Sequence, residues 1–131
     1  MLCLKLIARG AWTLYAVCSS DKRCPLEEFL ADQSEFGGDK DRMLRRMEEI
    51  AVRGPYYLPD ISHQIEGEIR QTEQGRVRVL WFFDKGRLIL CSHGFIKSSQ
   101  KTPEREKGIA RRAFEEYHAA KATGSLVFLE E

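Results

Sequence analysis

EGEIRQTEQGRVRVLWFFDKGRLILCSHGFI, residues 66–96, decides the fold. It divides into three apolar-rich runs, 66–72, 76–83 and 87–96, with Glu73-Gln74-Gly75 and Asp84-Lys85-Gly86 between them. Short glycine-bearing breaks between β-favouring runs predict hairpins, so the three runs are expected to form an antiparallel meander. With Lys85-Gly86 as a two-residue loop, Arg78 faces His93 and Val79 faces Ser92. With Glu73-Gln74-Gly75 as a three-residue loop, Arg70 faces Arg78. Cross-strand partners share a face and side chains alternate along each strand. One face then gathers Ile69, Val77, Val79, Trp81, Phe83, Leu88 and Leu90 as the helix-covered core. The other gathers Glu68, Arg70, Arg78 and His93, with Leu80 and Phe82 farther along. A carboxylate, two guanidiniums and an imidazole thus converge on one partly apolar surface; ordinary ion pairing of Glu68 with the arginines is the plainer reading.

Upstream, residues 11–18 (AWTLYAVC) alternate like a strand. Pro25 opens a short helix whose apolar stripe is Leu26, Phe29 and Leu30. A second helix is expected over Asp39 to Arg53, with Met43, Met47, Ile50 and Ala51 inward. Gly54-Pro55 stops it, and an irregular connection follows to Gln64. Downstream, KSSQKTP (97–103) reads as a loop, and Thr102-Pro103 starts a helix to about Lys121. Ile109, Ala110, Ala113, Phe114 and Tyr117 form its inner face. The tail LVFL, 126–129, is too apolar to hang free and reads as an edge strand or a partner contact. Residues 1–10 are mildly apolar, but Lys5 and Arg9 interrupt them and they do not read as a signal peptide.

At 131 residues, 43% hydrophobic and 31% charged, the chain suits a single domain over 1–131 with one core, which excludes a multidomain enzyme. No run approaches the ~20 apolar residues of a membrane span, so no membrane partner is expected. Cysteines at 3, 18, 24 and 91 form no CxxC pattern, and histidines 63, 93 and 118 lie apart from them. Free thiols are therefore expected, with neither a metal site nor a disulfide, in a cytoplasmic protein. The net charge of +1 hides an asymmetry. Residues 21–69 hold 7 basic and 12 acidic groups; residues 70–121 hold 12 basic and 6 acidic. The second part therefore carries a positive field that attracts phosphates.

The stretch from Glu66 to Tyr117, with G-E-I-R, R-V-R-V-L-W-F-F, H-G-F-I-K and Q-K-T-P-E in order, resembles the phage-derived branch of RelE/HigB-like toxins of bacterial type II toxin–antitoxin systems. The similarity runs over roughly residues 60–118, and CPLEEFL upstream fits the same pattern. Three positions depart from it: Val77 replaces an aromatic residue, Ser98 replaces a lysine, and His63-Gln64 stand where lysines are usual. The resemblance implies an α+β fold with two N-terminal helices packed on a curved, mainly antiparallel sheet, and a C-terminal helix. It also implies metal-independent endonucleolytic cleavage of mRNA on the ribosome, without a cofactor, neutralised by a cognate helix-turn-helix antitoxin. A homodimer is a further possibility in the antitoxin's absence.

By position, the resemblance implies catalytic roles for Glu68, Arg70, Arg78, Lys97 and Lys101, and the meander register adds His93. Glu68 or His93 would act as base, with His63 in reserve. Arg70 and Arg78 would clamp the phosphate, because guanidinium forks match phosphate oxygens. Lys97 and Lys101 would hold flanking phosphates, while His63, Phe82 and Gln100 would bind substrate, Phe82 by stacking a base. Two other functions remain open on the same scaffold: a gyrase-binding ParE-like toxin, or a non-catalytic phage accessory module that binds RNA or protein.

Overall fold

The computed structural model describes residues 1–57 and 62–129, so the middle of the connection after Gly54 lies outside the described residues. Within them, the chain runs β1 (Leu2–Arg9), β2 (Thr13–Cys18), α1 (Pro25–Ala31), α2 (Gly37–Arg53), β3 (Ser62–Glu66), β4 (Ile69–Gln74), β5 (Val77–Asp84), β6 (Leu88–Ile96), α3 (Glu104–Ala122) and β7 (Leu126–Leu129). The strands form a single sheet in the order β3-β4-β5-β6-β2-β1-β7. This corrects the expectation of two N-terminal helices on a mainly antiparallel sheet. Two strands precede the helices, the three helices are interspersed among the strands, and the sheet is mixed. Strand β2 pairs with β6 in parallel, as does β1 with β7. The architecture is mixed α+β.

Strand β1 escapes sequence reading because Leu2, Cys3 and Leu4 are all buried, so no polar residue alternates there. The apolar tail does add an edge strand, β7, beside β1.

Both faces of the sheet are covered. Helices α1 and α2 pack Leu26, Met43, Met47 and Ile50 over Val77, Val79, Trp81, Ile89 and Cys91. On the other face α3 lays Ala110, Ala113, Tyr117 and Ala120 over Ile69, Leu80, Phe82 and Leu90. The run from Val77 to Phe82 is consequently buried on both sides. Ile69, Leu88 and Leu90, expected on one face with Val77, Val79 and Trp81, lie on the opposite, α3 face instead.

The meander is real, but its registers differ from those expected. Gly75-Arg76 is the two-residue loop, since Gln74 pairs with Val77, and Glu73 therefore faces Arg78. The β5–β6 loop has three residues, Asp84 pairing with Leu88. Within β6 a bulge falls at Ser92: Leu80 pairs with His93 and Trp81 with Cys91. The run 66–72 is interrupted as well, because Gly67 and Glu68 form the turn between β3 and β4. Gly75 answers two demands: its φ is +58°, and a Cβ there would collide with the Asp39 carboxylate of α2.

Cys18 and Cys24 form a disulfide that joins the end of β2 to the residue capping α1, which corrects the expectation of free thiols there. Cys3 and Cys91 are free and buried, and burial pushes the Cys91 thiol up to about 12. No described helix is long and apolar enough to cross a membrane.

Candidate functional site

The positively charged part of the chain converges where β4, β5 and the end of β6 meet the loop into α3. There Gln71, Glu73, Arg78, Phe95, Lys97, Gln100, Lys101 and Thr102 line a cleft of about 30 Å³. That is an order of magnitude below the ~300 Å³ at which small-molecule sites begin, so the cleft encloses no whole small molecule. Larger grooves of about 500 Å³ lie near the β1 and β7 edge of the sheet, beside Met1, Ser19 and Glu116 and beside Lys5, Lys22 and Phe128, with no acid–base pair in either.

The true β4–β5 register builds the centre of this site. Glu73 lies opposite Arg78, whose Nη2 approaches Glu73 Oε1 at 3.4 Å. Arg78 Nη1 donates to the carbonyls of Gly75 (2.7 Å) and Val77 (3.1 Å), which fixes the guanidinium plane. On the edge strand, His63 pairs with Gln71 and brings its Nε2 to 3.7 Å from Glu73 Oε2. Gln71 donates to the same carboxylate oxygen at 3.2 Å and accepts a hydrogen bond from the Thr102 hydroxyl at 2.8 Å. Glu73 is thus held from three sides. Its side chain keeps 29% of its surface, while that of Arg78 keeps 7%, so the carboxylate is the open member of the pair.

Of the residues expected at a site, Arg78, Lys97, Gln100, Lys101 and His63 come together here. The others do not. Arg70 projects to the opposite face of β4, its guanidinium 5.5 Å from the ring centres of Tyr56 and Trp81 and 5.6 Å from that of Phe83. Strand alternation dictates this once Arg70 pairs with Trp81 and not with Arg78. Glu68 sits in the β3–β4 turn and lines a separate groove with Glu66 and Arg111. Phe82 is fully buried among Phe114 and Tyr117, so it has no face for a base.

His93 shares the α3 face with Arg78 but lies under the helix. Its Nδ1 meets Ser92 Oγ at 2.8 Å and its Nε2 meets Glu106 Oε1 at 3.0 Å. Burial lowers its pKa, with the Glu106 carboxylate opposing part of that shift. The pair ties β6 to the first turn of α3 and so anchors the loop that carries Lys97 and Lys101.

Glu73 is the residue that sequence reading misses, because Glu73-Gln74-Gly75 reads as a turn. A Gly-X loop at Gly75-Arg76 was the available signal: two-residue hairpin loops with glycine first are common, and that parse places Glu73 opposite Arg78.

Among the described residues no group of three or more histidine, cysteine or acidic side chains could hold a metal. What the site offers is a carboxylate beside an imidazole, a fixed guanidinium and two ammonium groups. Among curated proteins, none matches the chain. Residues 31–115 match the family described as Phage derived protein Gp49-like, a span that includes α2, the whole meander and the cleft. The chain belongs to this phage-derived Gp49-like family.

Proposed function

We propose that the protein is a growth-arresting toxin that cuts mRNA at the cleft between β4, β5 and the 97–103 loop, and that a cognate antitoxin with a helix-turn-helix fold neutralises it. The observation that carries this reading is Glu73, held half-open between Arg78, Gln71 and His63 beside Lys97 and Lys101. The resemblance of the meander and its QKTP loop to RelE/HigB-like toxins supports it.

The chemistry follows from the groups present. Glu73 removes the proton of a ribose 2′-hydroxyl, and the 2′-oxygen forms a bond to the adjacent phosphorus. The bond from phosphorus to the 5′-oxygen breaks, and His63 in its protonated form supplies the proton that the leaving oxygen takes. The products are a 2′,3′-cyclic phosphate and a 5′-hydroxyl. Arg78 and Lys97 balance the charge that builds on the phosphorane, with Lys101 on a flanking phosphate. Preorganised donors of this kind contribute about 10²–10³ in rate each, and acid–base groups about 10²–10⁴. The cleft holds little more than one phosphate edge, so the ribosome supplies much of the alignment.

The test is induced expression in a bacterium with mapping of mRNA ends. The wild-type protein should arrest growth and leave cut translated mRNA, while purified naked RNA stays largely intact. The Glu73→Gln variant should accumulate without arrest. Arrest with intact mRNA and altered DNA topology would refute the reading in favour of a gyrase-directed toxin, and equal potency of Glu73→Gln would refute the assigned base.

A further inference from the structure

We propose that Phe36 and Arg76 form a stacking platform for one nucleobase of single-stranded RNA, beside the cleft at which the phosphate is held. The inference rests on the RNA-cutting reading above and adds a substrate subsite to it.

Phe36 precedes α2 and leaves 39% of its surface in solvent. Its backbone is left-handed, φ 54° and ψ 38°, a conformation uncommon for a bulky side chain. That conformation gains no deep burial for the ring. It places the ring under Arg76, whose guanidinium carbon lies 5.8 Å from the ring centre. Backbone strain of this kind concentrates where a surface feature is being held for use.

Arg76 is fixed as firmly as its exposed position allows. Its Nε and Nη2 both donate to the Lys97 carbonyl, at 3.2 and 2.7 Å. The Lys97 main-chain N–H donates back to the Arg76 carbonyl at 2.7 Å, and the Arg76 N–H donates to Asp39 Oδ2 at 3.4 Å. Asp39 is itself engaged by Arg42. The guanidinium accordingly spends its hydrogen bonds on a neutral carbonyl and keeps a positive, planar, solvent-facing surface. Lys97, which anchors it, also lines the cleft, so platform and phosphate site are one residue apart.

Unstacked RNA bases are held on aromatic faces and on arginine planes, and such stacking tolerates any base. A base laid on Arg76 would complete a three-layer stack with Phe36 beneath. It would fix the nucleotide that flanks the scissile phosphate, the kind of alignment that converts weak acid–base groups into rate. Lys97 would then serve twice, through its carbonyl on the platform and through its ammonium on the phosphate.

The experiment uses full-length Glu73→Gln protein, so that RNA is bound and left uncut, with short single-stranded RNAs carrying 2-aminopurine at each position in turn. Stacking quenches that fluorophore. Quenching is expected at one position, and Phe36→Ala or Arg76→Gln should remove it and weaken binding about 10-fold or more. Arg76→Lys keeps the charge and loses the plane. It should abolish quenching while largely retaining the salt dependence of binding, and thermal melting of each variant reports whether it is folded. RNA that binds with no position quenched, or quenching that survives these substitutions in folded protein, overturns the platform alone. Glu73→Gln protein that binds none of these RNAs overturns the platform, whereas quenching by the Glu73→Gln protein together with no cut mRNA from the wild type overturns only the RNA-cutting reading.

Discussion

Arg78 and Glu73 form one ion pair but play unequal parts. The Arg78 guanidinium is buried and satisfies two main-chain carbonyls as well as the carboxylate. Arg78→Ala should therefore cost both activity and about 1–3 kcal/mol of stability, because it takes this donor from the buried Val77 carbonyl and the part-buried Gly75 carbonyl. Glu73 sits on the open side, so Glu73→Gln should shift the melting temperature little while lowering cleavage by about 10²-fold or more. Melting and mRNA-end mapping of both variants separate the two roles; an Arg78→Ala protein as stable as wild type would show that its carbonyl contacts carry no weight. The pair was only half legible in the sequence. Arginine in the middle of an apolar strand stands out by composition. The carboxylate opposite it was hidden, since one residue of loop length decides which side chain is its partner.

At the scale of elements, sequence located the meander, the second helix and α3 closely, because each has a strong period and clear breakers. Registers and faces were harder. The bulge at Ser92 shifts the β5–β6 pairing by one residue, and no local propensity announces it. The same bulge sets Ser92 and His93 side by side under Glu106, and this buried cluster makes docking of α3 depend on pH. Burial lowers the folded-state pKa of His93, so the unfolded chain binds its proton first as pH falls. The stability is complete above the unfolded value near 6.5 and declines as pH drops toward the lowered folded value. Melting at pH 7.5 and 5.5 should show a loss on acidification that His93→Gln removes. The other end of α3 behaves differently. Burial acts to raise the Asp84 pKa, but hydrogen bonds from Lys121 and Tyr117 outweigh it and hold the carboxyl at about 2. Its contribution is present above about pH 4 and is lost as pH falls through 2. Asp84→Asn should cost about 2 kcal/mol at pH 7 and much less near pH 2, as denaturant titrations at the two pH values would read.

Across the whole molecule, the first and last described strands in sequence order lie side by side in the sheet. Strand β7 pairs in parallel with β1, and β1 pairs with β2, which joins the meander through β6. The sheet can therefore be completed only after α3 has crossed the face that holds Phe82 and Leu90. The cleft is carried by β4, β5 and β6 near one edge of the sheet, while β7 forms the opposite edge. Loss of the tail should thus affect stability before it affects chemistry. Deleting residues 126–131 removes Val127 and Leu129 from the face covered by α1 and α2 and Leu126 from the α3 face, and uncovers the backbone of Leu2–Lys5. Partial burial of three aliphatic side chains is worth roughly 3 kcal/mol, a large share of the 5–15 kcal/mol that stabilises an ordinary domain. The bared β1 edge is apolar and unpaired, which favours edge-to-edge association. The truncated protein should unfold at lower urea concentration and associate on concentration, as size-exclusion chromatography would show, while whatever remains folded keeps RNA affinity at the cleft. A truncation as stable and monodisperse as the full chain would mean that β7 merely lies against β1 and that the sheet is complete at six strands.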